Sequence, residues 1–106
     1  MTMQPFTEKA ISIIKGIPPG QVMTYGQVAA HAGSPRGGRQ VARLLHSMSS
    51  KYDLPWHRVV NAQGQIMIQD PEARFAQQTF LQQEGIVVSA NGKIDLAQFQ
   101  YLPADE

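Results

Sequence analysis

The hydrophobic residues near the start of the chain recur every three or four positions. They are Phe6, Ala10, Ile13, Ile14 and Ile17. This spacing places them on one face of a helix, because an α-helix completes a turn in about 3.6 residues. The pattern therefore predicts an amphipathic helix over 4–15 that ends near Gly16.

The stretch TYGQ has the form of a capping box, with Thr24 as the N-cap and Gln27 three residues later. It predicts a short helix over 25–32 that stops at Gly33. A second helix is predicted over 35–48, because proline is well tolerated in the first turn of a helix.

The second half of the chain alternates short extended and helical patterns. VVNAQGQIMI, residues 59–68, predicts a strand, a turn and a second strand. Asp70 and the proline after it predict the start of a helix that runs through Glu84. IVVSANGKIDL, residues 86–96, predicts a closing hairpin with its turn at residues 91–92. The chain is thus predicted to be mainly α-helical with small β-hairpins.

The second predicted helix carries two different faces. Its apolar positions fall together on one side: Val41, Leu44, Leu45 and Met48. Its arginines fall on roughly the opposite side: Arg36, Arg39 and Arg43. With the preceding helix and the glycine turn, this division predicts a helix-turn-helix over about 25–48 whose outer face meets nucleic acid. The alternative is an ordinary surface helix with a basic outer face.

The charges of the chain are divided between its two halves. Residues 9–58 contain seven basic residues and one acidic residue, whereas residues 59–106 contain two basic and six acidic residues. The net charge is only +1, yet this polarity offers one surface to a polyanion. Chance clustering of solvated charges is the alternative.

Length and composition exclude several classes of protein. The chain fits one domain, 1–106, and its hydrophobic content of 42% is ordinary for a globular protein. No apolar run approaches the roughly 20 residues that span a bilayer, and the first residues do not form a signal peptide. A cytoplasmic location is expected, associated with the nucleoid if the source is bacterial.

Catalytic and metal-binding motifs are scarce. The chain has no cysteine, which excludes disulfides, thiolate nucleophiles and cysteine-ligated zinc. His31, His46 and His57 lack the spacing of metal ligands, and neither a phosphate loop nor a nucleophile elbow is present. No metal or other cofactor is therefore expected.

The segment LPWHRVV, residues 54–60, combines residue types that are typical of an active site with an unreactive indole at its centre. Trp56 is either packed in the core or forms the wall of a pocket for a flat, unpaired ring. Stacking on such a wall contributes roughly 1–3 kcal/mol per base. His57 is either a structural hydrogen-bonding residue or a base. The residue types alone leave both pairs of alternatives open.

Four motifs of the chain together resemble one protein family. TYGQVAAHAG, Arg39, PWHRVV and the pair Glu84-Gly85 resemble the DNA-binding domain of the O6-alkylguanine-DNA alkyltransferases, from the first helix to about Leu96. The family's signature Pro-Cys-His-Arg-Val stands here as residues 55–59, with Trp56 at the position of the reactive cysteine. This replacement is typical of the alkyltransferase-like proteins. The resemblance implies a single winged-helix-like helix-turn-helix domain that binds DNA and transfers no alkyl group.

The resemblance also implies minor-groove binding and base flipping. Arg39 matches the arginine that fills the gap left by an extruded nucleotide, and Tyr25 matches the tyrosine that crowds the 3′ phosphate. The implied DNA-binding residues are Arg39, Tyr25, Arg36, Gln40 and Arg43. The implied lesion pocket consists of Trp56, Tyr25, Val59, Leu45, Met67 and Gln69. His57 and Glu84 occupy the positions that activate the thiol in the transferases.

The chain departs from the transferases at three places. Met48 stands where they usually have an asparagine, and the stretch between Trp56 and Glu84 is one residue longer. Where a tyrosine commonly forms a pocket wall, this chain reads MIQD. Met67 and Gln69 are therefore expected to alter the lesion preference.

The function favoured by these inferences is a non-enzymatic, monomeric sensor of O6-alkylguanine in duplex DNA. By resemblance, it would direct the lesion to nucleotide excision repair proteins. One alternative is a helix-turn-helix transcriptional regulator without lesion recognition, which would prefer one operator sequence. A second alternative is a residual enzymatic activity, such as a glycosylase or a transfer to another acceptor.

Overall fold

The computed structural model of the chain describes residues 4–103, and it begins with the predicted amphipathic helix. Helix α1 spans Pro5–Lys15, with proline in its first turn and Gly16 as its C-cap. Its inward face consists of Ala10, Ile11 and Ile14, which are buried. The predicted range of 4–15 is confirmed within one residue.

A short strand and the first helix of the helix-turn-helix follow. Strand β1, Met23–Thr24, leads into helix α2, Tyr25–His31. The predicted capping box is confirmed: the Gln27 amide donates to the Thr24 hydroxyl at 3.0 Å, and the Thr24 amide donates to the Gln27 side chain at 3.2 Å. Gly33 follows with a φ of 97°, a conformation in which glycine carries no steric penalty.

The second helix of the pair starts later than predicted. Helix α3 spans Gly38–Tyr52, so the predicted range of 35–48 is wrong at both ends. Residues 34–37 form a turn in which the Gly37 amide donates to the Ser34 carbonyl at 2.8 Å. Proline fixes a φ that suits a turn as well as a helix start, and here the turn forms. The helix ends at Asp53, which adopts a left-handed φ of 52°.

Two parallel strands connect the helix-turn-helix to the PWHRV segment. After a single 3₁₀ turn, Trp56–Arg58, strand β2 spans Val59–Val60 and pairs with β1 in the register Met23 to Val59 and Thr24 to Val60. Of the elements predicted over 59–68, the first strand and the turn are confirmed, since the Gly64 amide donates to the Asn61 carbonyl at 2.9 Å, but the second strand does not form. The backbone that leaves the turn lies against residues 92–94, where the Ile66 amide donates to the Gly92 carbonyl at 2.9 Å.

The last third of the chain contains two further helices. Helix α4, Pro71–Gln83, is capped by Asp70, whose carboxylate accepts from the Ala73 amide at 3.1 Å. It ends at Glu84, as predicted. The turn at residues 91–92 also forms, but its arms make only one antiparallel bridge, from Val88 to Ile94. A short helix α5, Leu96–Phe99, was not predicted.

The core has two parts, which meet at the paired strands. Met23 and Val59 pack with helices α1, α2 and α3, whereas Val22 and Val60 pack with Leu81 of α4 and with the closing turn. Successive residues of a strand point to opposite faces, so one short ladder supplies both parts. Between residues 4 and 103, no helix is long and apolar enough to cross a membrane.

The close approach at Gly64 predicts an unequal effect of two alanine substitutions. Gly64 and Gly33 both have positive φ, at 76° and 97°. A Cβ at Gly64 would lie 2.3 Å from the Ile94 carbonyl oxygen, whereas a Cβ at Gly33 would meet nothing within 4 Å. Gly33→Ala should lower the free energy of unfolding by about 1 kcal/mol from backbone strain, and Gly64→Ala by about 3 kcal/mol or more.

Urea unfolding of the two variants and the unsubstituted protein measures this difference. Because both glycines have positive φ and only Gly64 lies against another part of the backbone, Gly33→Ala is the control for the steric clash. Equal losses in the two variants would show that residues 64 and 94 do not pack as described.

Candidate nucleic-acid interface

A cleft of about 720 Å³ lies beside the carboxyl-terminal half of α3. Its walls come from α3, from the first residue of α2, from residues 53–56 and from residues 68–73. Its volume lies within the range of roughly 300–1,000 Å³ that is usual for sites of small organic groups. The cleft is therefore large enough for a single aromatic base.

Three of the six predicted pocket residues line this cleft: Tyr25, Leu45 and Trp56. The other three do not. Val59 is fully buried in the core, and Met67 is 60% exposed, with Gln69 also on the surface. In the segment at residues 66–70, Ile68 and Asp70 line the cleft, whereas the prediction placed Met67 and Gln69 there.

Trp56 is half-buried, and its indole is held by other aromatic rings. It packs edge-on against His57 and Phe80, each with ring centroids 6.2 Å apart. Such T-shaped contacts restrict the orientation of a ring beyond what burial alone does. The indole therefore combines both alternatives considered from the sequence, since it packs against neighbours and also forms a cleft wall. Phe80 was not among the predicted residues.

Behind the cleft, Glu84 binds the two residues that follow Trp56. Glu84 Oε2 lies 2.7 Å from His57 Nε2 and accepts from Arg58 Nη2 at 2.7 Å. Glu84 Oε1 accepts from Arg58 Nε at 3.0 Å and from the Gly20 amide at 3.1 Å. Arg58 also donates to the Ile17 carbonyl at 2.9 Å. The contact between His57 and Glu84 agrees with the positions that the resemblance implied for them. The hydrogen bonds from Arg58 to Glu84 were not predicted.

The environment of Glu84 favours its ionised form. Burial alone would raise its pKa, but the hydrogen bonds from Arg58, His57 and Gly20 outweigh that effect and lower the pKa from 4.5 to about 2. The carboxylate is therefore charged at neutral pH and has no proton to give. Its oxygens are occupied by structural partners, so the cluster stabilises the segment at residues 56–58 instead of activating a nucleophile.

A buried glutamine of α4 completes this support. Gln77 is almost fully buried, and its Nε2 donates to the carbonyls of His57 and Val59 at 3.1 and 3.2 Å. These bonds give a side-chain partner to one backbone carbonyl of the 3₁₀ turn and to one of β2. The amide gave no signal in the sequence, because its partners lie 18 and 20 residues away.

The predicted DNA-binding residues lie near the start of α3. The set consists of Arg36, Arg39, Gln40 and Arg43, and all four are exposed. Within residues 4–103, no acidic side chain forms an ion pair with any of these arginines. The fifth predicted residue, Tyr25, lines the cleft, and burial raises the pKa of its hydroxyl, which is therefore neutral at pH 7. Gln40 and Arg43 line a separate cavity against the start of α1, so the structure does not bring all five residues together.

The chain is similar in sequence and in structure to known DNA-binding proteins. The family model for the DNA-binding domain of 6-O-methylguanine DNA methyltransferase matches residues 5–86. The DNA base-flipping protein of Escherichia coli K12 is 43% identical over 96 residues, which cover 91% of this chain and 74% of that protein. The crystal structure of Schizosaccharomyces pombe Atl1 in complex with damaged DNA containing O6-carboxymethylguanine superposes with a TM-score of 0.83. Its sequence identity is 31%, and the match covers 97% of this chain and all of that one.

A methyltransferase is also similar over part of its length. The methylated-DNA–protein-cysteine methyltransferase of Salmonella typhimurium is 37% identical over 60 residues, which cover 57% of this chain and 35% of that protein. This chain contains no cysteine. It therefore has no residue that could accept a methyl group in the way that this enzyme's name describes.

The low pKa of Glu84 predicts how stability depends on pH. The carboxylate is ionised more readily in the folded protein than in the unfolded chain, so its contribution is fully present above about pH 4.5. That contribution is lost as the pH falls towards 2. At pH 7 it amounts to about 3 kcal/mol. Glu84→Gln should therefore be markedly less stable than the unsubstituted protein at pH 7, and the difference should shrink between pH 4.5 and pH 2.

Urea unfolding at pH 7, 5, 4 and 3 follows this difference. Glu72→Gln is the matched control, because Glu72 is exposed on α4 and forms no ion pair within residues 4–103. A stability gap between Glu84→Gln and the unsubstituted protein that stayed constant from pH 7 to pH 3 would contradict the assignment.

Proposed function

Since the chain belongs to the family defined by the DNA-binding domain of 6-O-methylguanine DNA methyltransferase, we propose that it is a non-enzymatic sensor of O6-alkylguanine in duplex DNA. It turns the damaged nucleotide out of the helix and holds the base in the cleft. The observation that carries this proposal is the cleft beside the arginine-bearing α3, lined by Tyr25, Leu45 and Trp56 in a chain without cysteine.

DNA is bound through the helix-turn-helix, with α3 in the minor groove. The exposed Arg36, Gln40 and Arg43 contact the phosphate backbone, which positions the protein without reading sequence. Arg39 enters the base stack and occupies the space vacated by the flipped nucleotide. Exposure and the lack of acidic partners in residues 4–103 support these roles, because an arginine already paired would have to break that bond first.

Tyr25 connects the DNA surface with the cleft. It is the first residue of α2, and its ring lines the cleft while its backbone is fixed by the capping box at Thr24. A rigid aromatic ring at this position presses on the 3′ phosphate of the target nucleotide and favours rotation. Its neutral hydroxyl adds no negative charge beside the phosphate.

Lesion selectivity has two sources. Extrusion of a base costs a few kcal/mol, and less for a damaged or badly paired base, so O6-alkylguanine leaves the stack more readily than guanine. In the cleft, the indole of Trp56 provides a wall on which the base stacks, which contributes roughly 1–3 kcal/mol. The edge-on contacts with His57 and Phe80 hold this wall before DNA arrives.

Because the lesion is held and not repaired, a further step must remove it. The bound protein marks the site for nucleotide excision repair proteins and acts as a monomer. A helix-turn-helix regulator is the competing function, and it predicts tight binding to one undamaged sequence with no gain from alkylation.

The proposed function is tested by the affinity ratio for two matched duplexes, one with guanine and one with O6-methylguanine at the same position. Fluorescence anisotropy should give at least about tenfold tighter binding to the damaged duplex, because extrusion is easier and stacking in the cleft is gained. Trp56→Ala should lower this ratio more than it lowers the affinity for undamaged DNA.

Trp56→Phe is the control for this variant, since it retains a flat ring at residue 56 and should retain most of the ratio. Equal affinity of the unsubstituted protein for both duplexes would refute the sensor. An unchanged ratio in Trp56→Ala would refute the assignment of Trp56 as the wall.

Arg39→Ala should weaken binding to the damaged duplex about tenfold or more, because the gap in the base stack is no longer filled. Lys93→Ala removes the same charge from an exposed turn outside the proposed DNA surface and should change the affinity only slightly. Anisotropy titrations of both variants at one salt concentration make the comparison, since phosphate contacts are salt-dependent. A similar loss of affinity in the two variants would show that Arg39 contributes only its charge and does not fill the gap in the base stack.

A further inference from the structure

The charged groups that line the cleft are acidic. Asp53 and Asp70 both form part of its wall, both are exposed, and neither forms an ion pair within residues 4–103. The lining contains no lysine or arginine, and His46 is its one basic residue. The cleft therefore differs in charge from the arginine-bearing start of α3 beside it.

Both side chains have a local role in the fold that asparagine could also fill. Asp53 ends α3 in the left-handed conformation, with a φ of 52°, which asparagine adopts as readily as aspartate. Asp70 caps α4 through one oxygen, at 3.1 Å from the Ala73 amide, and asparagine is an equally good N-cap. Local structure thus accounts for a short side chain with an oxygen at each position, and the dipole of α4 also favours the negative charge of Asp70. It does not favour the charge of Asp53, which lies at the carboxyl-terminal end of α3.

Under the proposed function, on which this inference rests, these charges act on the base that is held in the cleft. A base that stacks on the indole of Trp56 directs its O6 substituent in the plane of the ring, away from the indole and towards the other walls of the cleft. Asp53 and Asp70 both belong to that lining. A substituent on O6 therefore enters a cleft whose fixed charges are both negative.

We propose that Asp53 and Asp70 determine which adducts the cleft accepts, by selecting against anionic O6 substituents and favouring uncharged or cationic ones. Like charges at short range repel, and the repulsion is stronger in a partly desolvated cleft than in bulk water. An O6-carboxymethyl group carries a carboxylate, an O6-methyl group is neutral, and an O6-aminoethyl group is cationic.

Anisotropy titrations with three duplexes that differ only in this substituent test the proposal. They are run at low salt and at pH 8, above the range in which histidine side chains ordinarily take up a proton. We expect the carboxymethyl duplex to bind roughly five- to tenfold more weakly than the methyl duplex. The aminoethyl duplex should bind at least as tightly as the methyl duplex.

The double variant Asp53→Asn, Asp70→Asn should bring the carboxymethyl and methyl affinities to within about twofold of each other. Asp95→Asn is the matched control: Asp95 also caps a helix, at 3.0 Å from the Ala97 amide, but it lies outside the cleft lining. It makes the same chemical change and should leave the ratio as it is in the unsubstituted protein. Urea unfolding verifies that the double variant is folded.

The outcomes separate this inference from the proposed function. If the protein prefers O6-methylguanine to guanine but binds the carboxymethyl duplex equally well, the acidic selection is refuted and the sensor stands. A carboxymethyl penalty that persists in the double variant refutes the roles of Asp53 and Asp70. If O6-methylguanine is not preferred to guanine at all, the proposed function fails, and the inference fails with it.

Discussion

The carboxylate of Glu84 is the interaction on which the site depends. It lies at the end of α4 and joins the Gly20 loop to the two residues that follow Trp56, His57 and Arg58. These segments are far apart in sequence, so their contact fixes the fold where local signals cannot. An arrangement in which this partly buried carboxylate lost its partners would leave a charge without compensation, which is strongly destabilising. The backbone at Trp56 is therefore held in place by Glu84, His57 and Arg58, which do not line the cleft.

This arrangement explains how a reactive residue can be absent while the site keeps its shape. The hydrogen bonds that hold residues 56–58 come from Glu84 and from Gln77, and they end on the side chains of His57 and Arg58 and on backbone carbonyls. None of them ends on the side chain of residue 56. The side chain there can therefore change from a nucleophile to an indole without loosening the segment. Under the proposed function, residue 56 then stacks on a base and does not accept an alkyl group.

Much of the fold was predictable because its signals are local. The capping box of Thr24 and Gln27, the N-cap Asp70 and the glycine after Glu84 each specify a helix end within a few residues. The start of α3 was missed because proline suits a turn and a helix start equally. The pairing of Met23 with Val59 was missed because the choice of strand partner is decided by tertiary packing and not by the alternation of either strand.

The same distinction holds for the candidate site. Tyr25, Leu45 and Trp56 were predicted from the family resemblance and line the cleft. Ile68 and Asp70 also line it but were not predicted to, because the second strand predicted up to residue 68 does not form and the segment before α4 is irregular. Phe80 was missed because its contact with Trp56 spans 24 residues and depends on where α4 lies. The resemblance thus identified three residues of the cleft wall, whereas the residues that support them could be found only from the three-dimensional packing.

The charges of the molecule act at two ranges, which lets affinity and selectivity be set separately. The exposed arginines of α3 attract any duplex, and salt screens that attraction over roughly 10 Å at 0.1 M. The proposed repulsion from Asp53 and Asp70 acts only on a group already inside the cleft, where it is screened less because solvent is partly displaced. A change in salt therefore alters how tightly DNA is held more than it alters which adduct is preferred. Basic surface and acidic cleft are thus compatible within one small domain, since DNA meets the first before a flipped base reaches the second.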